Sequence, residues 1–153
     1  MSYVRVAVLL CASLLIPGIL LSCATRHPLH PRVPPENREE AKALRAPFGD
    51  TRRAPPAIIA EGRKLYEGKG ACANCHGEAG NGEGPAAHMQ HPHPPTDFTR
   101  CDLHEQREDG ELFWVIDHGI PGTAMVDFVH TGKLTDVEAW KIVAYLRTLC
   151  EFR

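Results

Sequence analysis

Apolar residues recur at helical spacing in three parts of the chain, and no segment shows the alternation of a β-strand. The first part begins after Pro56, where Ile58, Leu65 and Tyr66 recur between charged residues. Gly68 follows this run closely, and glycine is common where helices stop. The spacing therefore predicts a helix of about three turns that ends near Gly68.

The other two helical patterns lie toward the C-terminus. Residues 109–118 predict a short helix with an aromatic centre, Phe113 and Trp114. Thr135 and Glu138 form a T-x-x-E capping box, which predicts a helix from there to about Leu149. The apolar residues of this last helix spread over more than one face, as in a helix covered on several sides. They are Val137, Trp140, Ile142, Ala144, Tyr145, Leu146 and Leu149. The chain is therefore predicted to be all-α over residues 56–153.

The first 22 residues differ from the rest because Arg5 is their only charged side chain. An apolar stretch runs from Val6 to Leu21 and is interrupted by Pro17 and Gly18. It is short for a bilayer span, so residues 1–22 are predicted to be a secretory signal peptide, with an uncleaved anchor as the alternative.

The end of this stretch, Leu20-Leu21-Ser22-Cys23, resembles a bacterial lipoprotein signal. Leu21 is bulkier than the residue usually found at its position, and ordinary signal cleavage nearby is the alternative. The resemblance implies that Cys23 becomes the lipidated first residue, because several buried acyl chains hold a small protein stably at a membrane. The expected location is the periplasmic side of the bacterial cell envelope, on a membrane.

Residues 23–55 are rich in proline, arginine and glutamate. Residues 36–46 could form a transient charged helix, but Leu44 is their only large apolar side chain and leaves no stripe to bury. We interpret residues 23–55 as a solvated, proline-rich tether that lets the domain at 56–153 pivot. The net charge of −2 offers no basic patch, so we expect no nucleic-acid partner.

A haem-attachment motif, C-x-x-C-H, lies between the first two helical patterns. Cys72 and Cys75 are spaced to form thioether bonds to the two porphyrin vinyl groups, and His76 is then placed beneath the iron. A redox dithiol would require a surrounding βαβ pattern, and a zinc site would require a second ligand pair. The sequence shows neither, so we predict one covalently attached haem c.

A haem iron held by His76 takes a sixth ligand, and Met125 is the strongest candidate. It ends a loop, Gly119–Met125, whose glycines and proline predict an irregular backbone. Met89 and His118 are weaker alternatives. The remaining histidines near the motif, His88, His91 and His93, could bind copper or zinc, although their prolines favour a simple loop.

At this point residues 56–153 resemble class I cytochrome c, a family of small, all-helical electron carriers. In that family an N-terminal helix with glycine and an aromatic residue crosses the C-terminal helix, and Gly62 with Tyr66 fits this pattern. The resemblance implies that the Pro85 carbonyl accepts the Nδ1 hydrogen of the proximal histidine, and that the Met125 sulfur binds iron. Proline often follows that methionine in the family, whereas Val126 follows here.

Three further assignments concern the haem surroundings. Trp114 and Trp140 are interpreted as aromatics of the core or of the haem pocket, with a haem propionate as an alternative partner of Trp114. The segment 97–99 is expected to be a loop crossing one haem edge. Cys101 and Cys150 remain after the other cysteines are assigned, and the sequence leaves open whether they form a disulfide.

These features predict a membrane-anchored electron carrier and not an enzyme. Filled axial positions leave no open iron site for a small-molecule substrate, so the expected partners are a redox protein donor and acceptor, with the membrane reached through the lipid. A fixed cytochrome subunit of a larger membrane oxidoreductase is an alternative function. A haem-based gas sensor is a weaker one.

Overall fold

The computed structural model describes residues 29, 32–89 and 93–150. The predicted signal peptide and the predicted lipid site at Cys23 lie outside the described residues. Within the described part of the chain, no helix has the length and apolar character needed to cross a bilayer.

The described residues form helices and turns without a β-strand, which confirms the predicted all-α fold. The α-helices in these residues are α1 (Arg38–Ala43), α2 (Pro56–Glu67), α3 (Ala73–His76), α4 (Cys101–Gln106), α5 (Asp109–His118) and α6 (Asp136–Leu146). Short 3₁₀ turns cover Pro35–Asn37, Thr51–Arg53 and Ala87–Met89.

Helices α2 and α6 cross closely, as the glycine and aromatic pattern predicted. A Cβ atom built on Gly62 would lie 2.0 Å from the carbonyl oxygen of Lys141, so only glycine permits this approach. Next to the crossing, the rings of Tyr66 and Tyr145 meet edge to face with centroids 5.3 Å apart. Ile142 and Val143 are buried beside them, which makes the crossing the centre of the core.

The two C-terminal helices begin with the capping that their sequences favour. In α6 the Thr135 hydroxyl accepts from the Glu138 N–H while the Glu138 carboxylate accepts from the Thr135 N–H. Helix α5 has the predicted bounds and a second capping box, made by Glu108 and Glu111. The α6 helix ends three residues earlier than predicted, at Leu146, and hydrogen-bonded turns continue the chain to Leu149.

The prediction of a solvated tether is wrong for residues 32–55. Val33 is 4 % exposed and Ala41 is fully buried, and both pack with Trp114 of α5. A Cβ atom on Gly110 would lie 1.9 Å from the Ala41 carbonyl oxygen, so α1 and α5 meet through backbone and small side chains. Such a contact needs no stripe of large apolar residues, which is why the amphipathicity criterion missed it.

Cys101 and Cys150 form a disulfide, with Cα atoms 5.2 Å apart. This separation lies within the range that a disulfide requires. The bridge joins the first residue of α4 to the chain just after α6.

Candidate functional site

The C-x-x-C-H motif forms a single tight helical turn, α3. The Cys72 N–H donates to the Tyr66 carbonyl (2.9 Å), which attaches the start of the turn to the end of α2. The His76 N–H donates to the Cys72 carbonyl (2.9 Å), and Gly77 ends the turn with a φ of 80°. Both thiols and the imidazole are thereby presented by one short segment.

This segment forms part of the wall of a cavity of about 840 Å³. Cys72, Cys75, His76 and Met125 all line it, so the structure brings together the four residues predicted to hold a haem. The other walls are mainly apolar and come from α5, α6 and the loops. Among them are Phe98, Leu112, Val115, Ile116, Phe128, Ile142 and Leu146. The volume and the lining suit a large, mainly apolar ligand.

His76 is oriented by a backbone carbonyl. Its Nδ1 lies 3.0 Å from the Thr96 oxygen, and because a carbonyl only accepts, Nδ1 carries the hydrogen. Burial lowers the pKa of His76, which keeps the imidazole neutral. Nε2 is then the nitrogen with a lone pair for a metal. The predicted partner, Pro85, is wrong: the chain folds so that the carbonyl of residue 96, and not that of residue 85, faces the ring.

The segment around Thr96 has a second contact with the proximal histidine. The Phe98 ring lies 4.7 Å from the His76 ring, centroid to centroid, and lines the same cavity. The Phe98 N–H donates to the Gly80 carbonyl (2.7 Å). The loop therefore does cross beside the site as predicted, but Thr96 and Phe98 have roles that the sequence analysis did not assign.

The loop that carries Met125 is closed by its own hydrogen bonds. The Ile120 N–H donates to the Met125 carbonyl (2.8 Å), and the Thr123 hydroxyl donates to the Ile120 carbonyl (2.8 Å). The Met125 N–H donates in turn to the Thr123 hydroxyl oxygen (3.1 Å). A Cβ atom on Gly119 would lie 2.6 Å from the Met125 carbonyl oxygen, so glycine is required where the loop leaves α5.

The two alternative iron ligands, Met89 and His118, lie outside the cavity. Of the candidate copper or zinc ligands, one lines it. Met89 is 66 % exposed and does not line the cavity. His118 stacks on Trp114 and joins Asp117 and His130 in a surface cluster outside the cavity. Of the three histidines of the proline-rich loop, His93 lines the cavity, His88 does not, and His91 lies outside the described residues.

Trp114 does not line the cavity, so its assignment to the haem pocket is wrong. Its ring is buried on the opposite face of α5, where it packs against Val33 and Ala41 and stacks on His118 at 4.1 Å. Leu112, Val115 and Ile116 supply the cavity face of the same helix. The helical period explains this, because residue 114 points away from the side shared by 112, 115 and 116.

Three arginines contribute to the cavity wall. Arg32, Arg100 and Arg107 line it, and the Arg107 guanidinium also donates to the Leu29 carbonyl (3.5 Å). Burial and the neighbouring charge of Arg107 lower the pKa of Arg32. The guanidinium group is a strong hydrogen-bond donor to carboxylates, so this part of the lining can bind an anionic group of a ligand.

The Cys72 thiol is partly buried and is not in its reactive form. Burial raises the pKa of the Cys72 thiol to about 12, so it is protonated at neutral pH. A dithiol that exchanges disulfides needs a thiolate and therefore a lowered pKa. Cys72 is therefore not a thiolate of the kind that starts disulfide exchange.

An all-α fold with a close crossing of α2 and α6, and a cavity lined by a C-x-x-C-H turn and a methionine, define a protein that binds c-type haem. Residues 59–150 match the Cytochrome c family, and the chain belongs to this family. Its cytochrome c domain is an electron-transfer module with covalently bound haem.

Solved structures also resemble the chain. One is a chain of the reducing HAO-like protein complex Kustc0457/Kustc0458 of Kuenenia stuttgartiensis, which is 32 % identical with a TM-score of 0.56. The match covers 65 % of this chain and 46 % of that one, so the present chain corresponds to about half of its structural relative. No curated protein gives a significant match.

Proposed function

We propose that this protein carries single electrons between redox proteins through one haem c, with His76 and Met125 as the axial ligands. The observation that carries this proposal is that one cavity is lined by both thiols, by an imidazole whose Nδ1 is already bonded, and by the methionine. Bound haem supplies the Fe(II)/Fe(III) couple, whose potential is raised by a methionine ligand relative to two histidines.

Each of these side chains has a distinct task. Cys72 and Cys75 would hold the porphyrin by thioether bonds, and His76 would offer Nε2 to the iron while the Thr96 carbonyl accepts its Nδ1 hydrogen. Met125 would supply a thioether sulfur as the second protein ligand of the iron and would thereby exclude exogenous ligands. Phe98 and the apolar walls keep water away, which limits the reorganisation that accompanies electron transfer.

The ligand assignment is tested by the optical spectrum of the purified protein. We expect the native ferrous form to be six-coordinate and low-spin and not to bind carbon monoxide, whereas Met125→Ala should bind it readily. Met89→Ala is the matched control and should resemble the native protein. Rapid binding of carbon monoxide by the native protein would overturn the carrier function and favour the gas sensor instead.

The haem propionates are assigned to Arg32 and Arg107, in place of Trp114. Both arginines line the cavity, and guanidinium groups donate strong hydrogen bonds to carboxylates such as the propionates. Replacement of Arg32 with Gln should therefore change the pH dependence of the reduction potential. An unchanged dependence would remove Arg32 from this role.

Lipidation of Cys23 would hold the domain at the periplasmic face of a membrane. Leu29 and Arg32 belong to the cavity wall, so only residues 23–28 separate the lipid from the folded protein. Six extended residues span at most about 20 Å. The connection between the lipid and the folded protein would therefore be much shorter than the tether over residues 23–55 that the sequence predicted. Fatty-acid labelling that is lost in Cys23→Ser tests the anchor, and an unlabelled native protein would contradict it.

A second candidate function is that of a fixed subunit in a larger oxidoreductase. The structural relative from Kuenenia stuttgartiensis belongs to a complex, and this likeness favours such a role. Purification of the tagged protein at low detergent distinguishes the two. A stoichiometric partner would support the subunit, and a monomeric haem protein would support the free carrier.

A further inference from the structure

The proximal side of the site rests on a buried polar network outside the cavity. His104, on α4, is 3 % exposed, and its Nε2 lies 2.6 Å from the Phe98 carbonyl oxygen. That carbonyl belongs to the segment whose Thr96 carbonyl accepts from His76. His104 thus bonds the backbone two residues beyond the carbonyl that orients the proximal ligand.

The hydrogen of His104 can be placed from its partners. Nε2 faces a carbonyl, which only accepts, and Nδ1 lies 3.3 Å from Nη1 of Arg147, which only donates. His104 is therefore the neutral tautomer with its hydrogen on Nε2. Burial, together with the charges of Arg147 and Arg52, lowers the pKa of His104 and keeps it in this form.

Arg147, which directly follows α6, is held by an ion pair and by two backbone carbonyls. Its side chain is 1 % exposed and forms an ion pair with Asp109 at 2.7 Å. It also donates to the carbonyls of His104 (3.1 Å) and Arg107 (2.7 Å). The Cys101–Cys150 disulfide lies beside this network, three residues from His104 along the chain and three from Arg147.

We infer that His104, held by Arg147, is a positioning residue that sets the strength of the His76–Thr96 hydrogen bond and thereby the reduction potential of the haem. This inference rests on the proposed haem ligation by His76. A strong bond from Nδ1–H increases the electron donation of the imidazole and favours Fe(III). When His104 cannot donate, residues 96–98 relax, the bond to His76 weakens, and the potential rises.

The test compares holoproteins by spectroelectrochemical titration. His104→Leu introduces an apolar side chain of similar size that has no hydrogen-bond donor. His104→Gln instead places an amide N–H near the position of Nε2. We expect His104→Leu to shift the electron-exchange equilibrium toward Fe(II) by about threefold, or roughly 28 mV at 59 mV per tenfold. His104→Gln should return the potential toward the native value.

A loss of packing alone must be separated from this effect. Val143→Ala removes volume from a fully buried residue of α6 that does not line the cavity, and it serves as the control with a comparable loss of thermal stability. If His104→Leu and Val143→Ala lower stability but leave the potential at the native value, the inference is wrong. A shift confined to His104→Leu supports it.

The His104→Leu variant or the native protein could also lack folded, haem-containing material. Should His104→Leu fail to fold, His104→Asn replaces it, because its amide lies near Nδ1 and is too short to reach the Phe98 carbonyl. A reduction potential that is raised in His104→Asn but not in His104→Gln supports the inference. Equal reduction potentials in these two variants overturn it. A native protein that contains no haem would instead refute the proposed function, and its absorption spectrum reveals this before any variant is compared.

Discussion

Two helix crossings in this protein use the same device and have different consequences. In one, Gly62 of α2 lies against the backbone of α6, and in the other Gly110 of α5 lies against the backbone of α1. The first crossing is surrounded by the main hydrophobic core and joins the two ends of the haem domain. The second attaches a short N-terminal segment through a small cluster of Val33, Ala41 and Trp114, and Leu44 and Ala46 of this segment also contact the edge of the main core.

The two crossings differ in how a steric clash at the glycine can be relieved. A clash at Gly62 cannot be relieved without separating α2 from α6 and opening the core. A clash at Gly110 can be relieved if residues 32–46 leave the surface of α5. This would open the Arg32 side of the cavity and remove Leu44 and Ala46 from the edge of the core, but α2 and α6 would stay packed. Similar geometry thus predicts a global effect in one place and a local one in the other.

The largest effect is expected for Gly62→Val. The added side chain would overlap the Lys141 carbonyl, and because both helices are held by the core, the free energy of unfolding should fall by more than about 3 kcal/mol. Denaturant unfolding followed by circular dichroism measures this change. Gly49→Val, where a Cβ atom has no neighbour within 4 Å, controls for glycine replacement, although its φ of 90° adds backbone strain. A loss no greater than that of the control would contradict a global role.

Reduction of the Cys101–Cys150 bridge should have the next largest effect. The bridge closes a loop with a sequence separation of 49. Removal of such a bridge typically lowers the free energy of unfolding by about 2–4 kcal/mol, because the unfolded chain gains conformational freedom. Because neither cysteine belongs to the N-terminal segment, the double Ser variant should lower global stability and leave the local release of residues 32–46 unchanged. Native-state hydrogen exchange separates these two free energies. A parallel change in both would show that the segment and the domain unfold together.

The sequence predicted these regions unequally, for physical reasons. Gly62 and Tyr66 stand in a recognisable helical pattern and fit the glycine and aromatic signature of class I cytochrome c, so the resemblance implied the first crossing. The Ala41–Gly110 contact lies between a short charged helix and a small residue, and it leaves no apolar period to detect.

The site shows the same division. Cys72, Cys75, His76 and Met125 were identified because their side chains carry the chemistry. The carbonyl that orients His76 belongs to the backbone of Thr96, and any residue type supplies a carbonyl. The support from His104 depends on an Arg147 that is 43 residues distant in sequence, which no local pattern reveals.

Gly110→Val tests the local side of the comparison. We expect a loss of about 1–3 kcal/mol at most, because detachment of α1 limits the cost of the clash. Trp114 would then become exposed, so its fluorescence should shift to longer wavelength. Limited proteolysis should cut within residues 32–46 while the α2–α6 core resists cleavage. Ala41→Gly, which removes contacts without a clash, should show a weaker form of the same behaviour. Cooperative unfolding of the whole protein in Gly110→Val would erase the contrast with Gly62.

The smallest effect is expected at a contact outside both crossings, between His130 and Asp117. His130 Nδ1 lies 3.2 Å from the Asp117 carbonyl and 2.9 Å from its carboxylate, and these groups raise the pKa of His130 above its ordinary value of 6.5. A raised pKa in the folded state means that the protonated form adds stability below about pH 6.5, and that this contribution is lost as the pH rises through the folded pKa.

The pH effect should be small because His130 is solvent-exposed, and it should leave both crossings intact. Titration of the His130 ring by NMR should give a pKa above 6.5 in the native protein, with Asp127 and His118 as the other charged or titratable neighbours. Asp117→Asn should lower this pKa because the variant removes the negative charge of the contact, and His88→Gln, outside the cluster, should not. A His130 pKa that is unaffected by Asp117→Asn would mean that the ion pair does not form in solution, and that α5 and the loop after Met125 are joined by the Phe128 N–H and the Ile116 carbonyl without its help.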